Sequence, residues 1–91
     1  MIICIDVGNS NIKYAVYDGG ERKISFRVST DLKRTSDEYG AQLAEMLNFN
    51  SIAAEDITGG IFSSVVPSLD YTIEHMLRVY LHIIPKQIAP G

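Results

Sequence analysis

The stretch IDVGNSNIKYAVYDGG, residues 5–20, places a turn rich in polar side chains between two runs of strand-forming residues. Residues 2–5, Ile-Ile-Cys-Ile, are apolar without alternation, which is typical of a central strand covered on both faces. After the turn, Ile12, Tyr14 and Val16 alternate with more polar residues, so a second strand is predicted. Because the turn between them is so short, the two strands are expected to pair as an antiparallel hairpin.

A third strand and a first helix are predicted from the periodicity that follows. The Asp-Gly-Gly sequence at 18–20 predicts a tight turn, and residues 24–29 then alternate apolar with polar side chains, which completes a meander of three strands. Thr35 and Glu38 have the spacing of a capping box. Since apolar residues recur at helical spacing after them, residues 36–48 are predicted to form an amphipathic helix.

The rest of the chain indicates a strand, a second helix and a last strand. Residues 57–66 return to a mostly apolar, strand-like pattern. Pro67 suits the first turn of a helix, which the apolar stripe predicts over residues 67–81. Because Pro85 disfavours a central strand, the segment KQIA at 86–89 is predicted to form only a short edge strand.

The predicted order β-β-β-α-β-α-β gives an α/β fold in which helices pack on a mixed sheet. Residues 2–6 should form an interior strand, paired with residues 11–17 on one side and with residues 57–63 on the other. The apolar stripes of the two helices are expected to bury the side chains of Leu43, Met46, Leu47, Leu69, Ile73 and Leu77.

Composition and charge argue against several classes of function. The chain has 91 residues, 46% of them hydrophobic, and a formal charge of −3 with scattered basic residues, which argues against a nucleic-acid partner. Cys4 is the only cysteine, so no internal disulfide and no cysteine-rich metal site is possible, and a buried inert thiol is expected. No signal peptide is apparent, and no apolar run reaches the ~20 residues that would cross a bilayer. We therefore expect a cytoplasmic protein with no membrane partner.

The turn after the first strand combines residue types that suit phosphate binding. Gly8 lets the backbone approach a ligand closely, and the amides around Asn9 and Ser10 could form a concavity for an anion. Lys13 can bring a positive charge to the same place, whereas Asp6 would repel phosphate and would act by holding Mg²⁺. The alternative is an ordinary polar turn, because Asp, Gly, Asn and Ser are the commonest turn residues.

Other catalytic motifs are absent from the sequence. The turn is neither a Walker A loop nor a Gly-x-Gly-x-x-Gly dinucleotide motif. Ser63 and Ser64 lack the Gly-x-Ser-x-Gly setting of a hydrolase nucleophile. His75 and His82 lack a cysteine or carboxylate at ligand spacing, so surface or partly buried positions are favoured over metal binding.

The segment that ends the fourth predicted strand is a second candidate. Its residues Ser63, Ser64, Val65 and Pro67 are expected to bring backbone groups to the wall of a cleft, because ligands bind at strand ends in such sheets. The alternative is a strand end that merely caps the following helix.

Three stretches of the sequence resemble one known family. IDVGNSNIKYAVYDGG resembles the first phosphate motif of the acetate kinase, hexokinase, Hsp70 and actin superfamily, and its form Asp-x-Gly-Asn-Ser/Thr-Asn is similar to that of type III pantothenate kinases. RVSTDLKRTSDEYG at 27–40 resembles the segment by which this family enters its first helix, and GIFSSVVPSL at 60–69 resembles its Ser-Ser-Val-Val-Pro motif. The three motifs occur in the family's order along the chain.

The resemblance implies a ribonuclease-H-like (actin-like ATPase) fold, with residues 1–91 as the N-terminal half-domain of a longer chain. The activity implied is the ATP-dependent phosphorylation of pantothenate to 4'-phosphopantothenate, the first step of coenzyme A biosynthesis. ATP and Mg²⁺ would be the cofactors, together with a monovalent cation (K⁺ or NH₄⁺), and the full-length protein would be a homodimer.

The resemblance also implies roles for individual residues. Asp6 would hold the metal ion. The ATP phosphates would be bound by the whole motif, which consists of Asp6, Val7, Gly8, Asn9, Ser10, Asn11, Ile12 and Lys13. The catalytic base and the adenosine site would lie beyond residue 91, so the fragment alone is expected to be inactive. Two alternatives stay open: another small-molecule kinase of the superfamily, and a non-catalytic regulatory or interaction module that kept the fold.

Overall fold

The computed structural model describes residues 1–90 of the chain as five strands, two α-helices and two short 3₁₀ turns. The order of strands and α-helices, β-β-β-α-β-α-β, is the predicted one. The elements are β1 (Ile2–Val7), β2 (Asn11–Asp18), β3 (Glu21–Ser29), α1 (Ser36–Phe49), β4 (Gly59–Ser64), α2 (Asp70–Leu81) and β5 (Lys86–Ile88).

All five strands form one mixed sheet in the order β3-β2-β1-β4-β5. Strand β1 is interior, antiparallel to β2 and parallel to β4, which confirms the predicted topology. Its register places Asp6 opposite Lys13 on β2 and opposite Ser63 on β4. Strand β5 lies at one edge, as Pro85 predicted.

Both helices cover the same face of the sheet. The chain crosses from β3 through α1 to β4, and then from β4 through α2 to β5, always in the same direction along the sheet. Because these strands are parallel and such crossovers are right-handed, both helices pack on one face. The prediction that the first strand is covered on both faces is therefore wrong within residues 1–90, where Cys4 and Asp6 point to a face without a helix.

The core lies between the sheet and the two helices. Its fully buried side chains include Ile3 and Val7 of β1, Leu43 of α1, and Ile73 and Leu77 of α2. Five of the six predicted helix residues are buried; Met46 is half-buried, which corrects that prediction.

The exposure of Met46 follows from the way the two helices meet. The aromatic ring of Tyr80 lies against Gly40, where a Cβ atom would overlap it, so α2 contacts α1 through this glycine. The buried stripe of α1 therefore shifts toward Gly40 and away from Met46. A pattern of apolar residues could not indicate this shift, because glycine is not counted as part of an apolar stripe.

The first helix begins as predicted. Thr35 Oγ1 accepts the backbone N–H of Glu38 at 3.1 Å, and the Glu38 carboxylate accepts the N–H of Thr35 at 2.9 Å. The capping box is thus complete, and α1 extends one residue beyond the predicted end, to Phe49.

Two boundaries in the second half differ from the prediction. Strand β4, Gly59–Ser64, is shorter at both ends than the predicted residues 57–66, and a 3₁₀ turn over Ala54–Asp56 precedes it. The helix predicted from residue 67 starts instead as a 3₁₀ turn, Pro67–Leu69, in which Leu69 N–H donates to Val66 O at 2.9 Å. The α-helix begins only at Asp70.

Helix α2 ends at Leu81, and the next residue, His82, adopts φ 54° and donates its N–H to Arg78 O at 3.1 Å. His82 therefore closes a helix.

Across residues 1–90 no three His, Cys, Asp or Glu side chains are grouped so as to bind a metal among themselves. In the same part of the chain, no helix is long and apolar enough to span a bilayer.

Candidate functional site

The polar turn Gly8–Ser10 joins β1 to β2 at the carboxyl end of β1. Because β4 is parallel to β1, the end of β4 lies at the same edge, with Ser64 opposite Val7. The first residue after β4 is tied to this edge, since Val65 N–H donates to Val7 O at 3.0 Å. The fold thus brings together the two stretches that the sequence had singled out separately.

The turn is closed by its own backbone. Gly8 N–H donates to Asn11 O at 2.9 Å, and a Cβ at residue 8 would lie 3.0 Å from that oxygen. A side chain at this position would push the turn open, which is why glycine fits here. Asn9 and Ser10 are exposed, and within the part of the chain that the structure describes their backbone N–H groups donate to no other residue. These two N–H groups are free to bind an anion.

Opposite charges flank the turn on the helix-free face of the sheet. Asp6 and Lys13 are opposite each other across β1 and β2, and both side chains are exposed. Neither forms an ion pair with another residue in 1–90, so both charges are available to a ligand. Asp6 Oδ1 accepts a long hydrogen bond of 3.4 Å from the hydroxyl of Ser63.

This face forms an open depression of about 580 Å³. Asp6, Lys13 and Ser63 line it, together with the basic side chains of Arg22 and Arg27 from β3. Lys13 and Arg27 are register partners on β2 and β3, so positive charge accumulates beside the single carboxylate of Asp6. The depression is therefore suited to an anionic ligand that also carries a divalent cation.

Not all residues of the predicted phosphate motif can act through their side chains. The side chains of Val7 and Ile12 are fully buried on the helix side, so only their backbone can contribute to a site. Asn11 is half-buried at the start of β2, and its carbonyl closes the turn.

The predicted cleft wall separates into two parts. Ser63 lines the depression beside Asp6. Ser64 Oγ instead accepts the N–H of Val66 at 3.0 Å, so its hydroxyl stabilises the start of the following 3₁₀ turn. Val65 and Pro67 are exposed and do not line the depression. The two serines thus lie in different settings, and their part in a ligand site stays a prediction.

Cys4 lies on the same face as Asp6 and is half-buried. Burial raises the pKa of its thiol, which keeps it protonated and a poor nucleophile near neutral pH. The expected inert thiol is consistent with this environment, although its burial is only partial.

Sequence reasoning missed two residues next to the turn. Arg27 and Thr30 lie in the family-like segment 27–40, but no individual role was predicted for either. Thr30 Oγ1 donates to Gly8 O at 2.7 Å, and its N–H donates to Ser10 O at 3.0 Å. The available signal was the register of the second hairpin, which carries the end of β3 to the turn.

Solved structures share this architecture. A ROK hexokinase from Thermus thermophilus superimposes with a TM-score of 0.71 over 97% of the chain and 34% of its own length, at 11% identity. The YeaZ protein from Pseudomonas aeruginosa superimposes with a TM-score of 0.65 over 97% of the chain and 44% of its own, at 12% identity. At such low identity these likenesses show the fold, and they confirm the predicted actin-like ATPase architecture.

Sequence comparison is more specific. Type III pantothenate kinases from Geobacillus thermodenitrificans (strain NG80-2) and Geobacillus kaustophilus (strain HTA426) are each 43% identical over all 91 residues. The chain spans 35% of the length of each of these relatives. The family model described as type III pantothenate kinase matches residues 2–91. The chain therefore belongs to the type III pantothenate kinase family.

Proposed function

We propose that residues 1–91 are the N-terminal half-domain of an ATP-dependent pantothenate kinase and supply the binding site for the ATP phosphates and Mg²⁺. One observation carries the proposal: the carboxylate of Asp6, the ammonium of Lys13 and the free amides of Asn9 and Ser10 lie together at one edge of the sheet. A turn that served only to connect two strands would not need an unpaired carboxylate and an unpaired ammonium group beside it.

Each group has a role that its chemistry supports. The free amides of Asn9 and Ser10 would donate to phosphate oxygens without a change in the turn. Lys13 would neutralise phosphate charge directly. Asp6 would act as the ligand of Mg²⁺, with Ser63 beside it, since this ion commonly binds to proteins through one or two carboxylates and completes its shell with phosphate oxygens and water. When bound, Mg²⁺ would neutralise charge on the transferred phosphoryl group.

The reaction proposed is the transfer of the γ-phosphoryl group of ATP to the 4'-hydroxyl of pantothenate. A bond forms between the hydroxyl oxygen and phosphorus, the bond to ADP breaks, and a base takes the hydroxyl proton. Most of the catalysis in such transfers comes from positioning and charge neutralisation. The chain spans 35% of the length of its curated relatives. We assign the catalytic base, the adenosine site and much of the acceptor site to the part of the whole protein that corresponds to the rest of that length. The homodimer, the dependence on K⁺ or NH₄⁺ and the cytoplasmic location belong to the same proposal.

The test is a kinase assay on the whole protein that carries this chain, with ADP release and 4'-phosphopantothenate as the two readouts. We expect pantothenate-dependent ADP release by the whole protein and no turnover by residues 1–91 alone. Release with a sugar or another acid but not with pantothenate would favour another kinase of the superfamily. A whole protein that binds no ATP would favour a non-catalytic module.

A further inference from the structure

Thr30, the residue after β3, makes two hydrogen bonds to the turn that bears the free amides. Its hydroxyl donates to Gly8 O at 2.7 Å and its backbone N–H donates to Ser10 O at 3.0 Å. The two carbonyls are on either side of Asn9, so one residue fixes both ends of the exposed part of the turn. Thr30 itself is half-buried and is 22 positions away from Gly8 in the chain.

These contacts determine where the N–H groups of Asn9 and Asn11 point. In a trans peptide unit the carbonyl and the N–H lie on opposite sides. The Gly8 carbonyl shares its peptide unit with the Asn9 N–H, so a carbonyl held toward Thr30 directs that N–H away from Thr30. The Ser10 carbonyl is related in the same way to the N–H of Asn11. Of the two free donors of the turn, Thr30 therefore orients the Asn9 N–H, which it does not touch.

The segment around Thr30 is in turn held by helix α1. Asp31 N–H donates to the hydroxyl of Tyr39 at 2.9 Å, and that hydroxyl donates to Asp31 O at 2.8 Å. Arg34 lies 5.3 Å from the centroid of the Tyr39 ring and donates to Ser29 O at 2.9 Å. Both chain neighbours of Thr30 are thus anchored, and the Tyr39 side chain that holds one of them is fully buried.

We propose that Thr30 is a positioning residue for the phosphate-binding turn and that Tyr39 holds Thr30 in place. The inference rests on the proposed function of the turn. It adds that the buried Tyr39, acting through Thr30, holds the turn in the conformation that binds phosphate. A turn pre-organised in this way presents the Asn9 donor with a smaller entropic cost at the moment of binding. Without the Thr30 hydroxyl, the peptide unit between Gly8 and Asn9 could rotate, and the Asn9 donor would be misdirected.

The test uses the whole protein with Thr30→Val, which keeps the shape of the side chain but removes its hydroxyl. Hydrogen–deuterium exchange in a peptide covering residues 5–16 should become about fivefold faster, as expected from the loss of one hydrogen bond. The KM for Mg·ATP should rise by about the same factor. Thr30→Ser, which keeps the hydroxyl, should restore both values to near those of the wild type.

Two further variants separate positioning from general stability. Thr58→Val makes the same chemical change at the opposite end of the sheet, where Thr58 is exposed, and should alter neither readout. Tyr39→Phe keeps the buried ring and removes its hydroxyl, so it should speed exchange in the same peptide by a smaller factor. Faster exchange throughout the protein, without a preference for the turn, would show a merely structural role and overturn the inference.

The inference and the proposed function fail in different ways. If Thr30→Val changes neither turn exchange nor the KM for ATP while Asp6→Asn abolishes turnover, the inference is wrong and the proposed function stands. If the wild-type protein binds no Mg·ATP, the proposed function is wrong, and the inference about phosphate falls with it.

Discussion

The two faces of the sheet are built from the same strands but differ in what covers them. On β1 the residues Ile3, Ile5 and Val7 are buried beneath the helices, whereas Cys4 and Asp6 between them face the open depression. Successive side chains of a strand point to opposite faces, so one strand can contribute alternately to the core and to the site. The covered face therefore contributes stability, and the open face is the one that we propose to bind the ligand. Substitutions on the two faces should have separable effects.

The largest expected effect is on the covered face. Ile3→Ala should lower the free energy of unfolding by about 2–5 kcal/mol, because Ile3 is 0% exposed and its truncation leaves a cavity. Urea unfolding measures this loss, and kcat per folded molecule should be unchanged. Ile2→Ala is the matched control, since Ile2 is 43% exposed and should cost much less. An equal loss at both positions would contradict the difference between the faces.

Next in size is the loss of the carboxylate at the site. Asp6→Asn should lower kcat about a hundredfold, because misplacement by ~1 Å costs that much, while thermal stability changes little. A higher Mg²⁺ concentration should restore part of the activity if Asp6 acts through the metal. Asp18→Asn, an exposed position at the end of β2, is the control and should be neutral. A large loss of stability with normal kcat would show that Asp6 only stabilises the turn.

A smaller effect is expected from the cation opposite Asp6. Lys13→Ala should raise the KM for ATP about tenfold, which is the factor expected from the loss of one charge-assisted hydrogen bond to phosphate. Extra Mg²⁺ should not repair this defect, because Lys13 would touch phosphate directly. Lys23→Ala removes an exposed lysine paired with Glu21 at 3.6 Å and should leave the KM unchanged. Recovery of the Lys13 variant by Mg²⁺ would refute direct contact.

The smallest effect is confined to alkaline pH and tests the covered face again. Burial raises the pKa of Tyr14 above its ordinary value of 10.0, so the folded protein holds this proton more tightly than the unfolded chain does. The stability that this provides is present below pH 10 and should be lost as the pH rises further. Tyr14→Phe should make unfolding less sensitive to pH in that range, as followed by urea titration. Tyr71→Phe, at an exposed position, is the control.

Local patterns in the sequence were sufficient for much of the fold. Apolar runs and apolar alternation predicted the first four strands, Pro85 indicated that the fifth is a short edge strand, and the spacing of Thr35 and Glu38 predicted the start of α1. The glycine and polar residues of the first turn predict a phosphate site there, which stays a prediction. Such features depend on residues within a few positions of each other, and so they can be read without the fold.

The tertiary structure alone decided which distant residues meet. The Cα register of β1 with β4 brings Ser63 to Asp6, and the end of β3 brings Thr30 to the turn at Gly8. The packing of α2 on Gly40 decided that Met46 is only half-buried. These contacts follow from strand register, crossover direction and helix packing, which join residues far apart in the chain. Local periodicity does not indicate these long-range contacts. The sequence alone therefore indicated the residue types of the candidate site, and the tertiary structure determined which of those residues lie together.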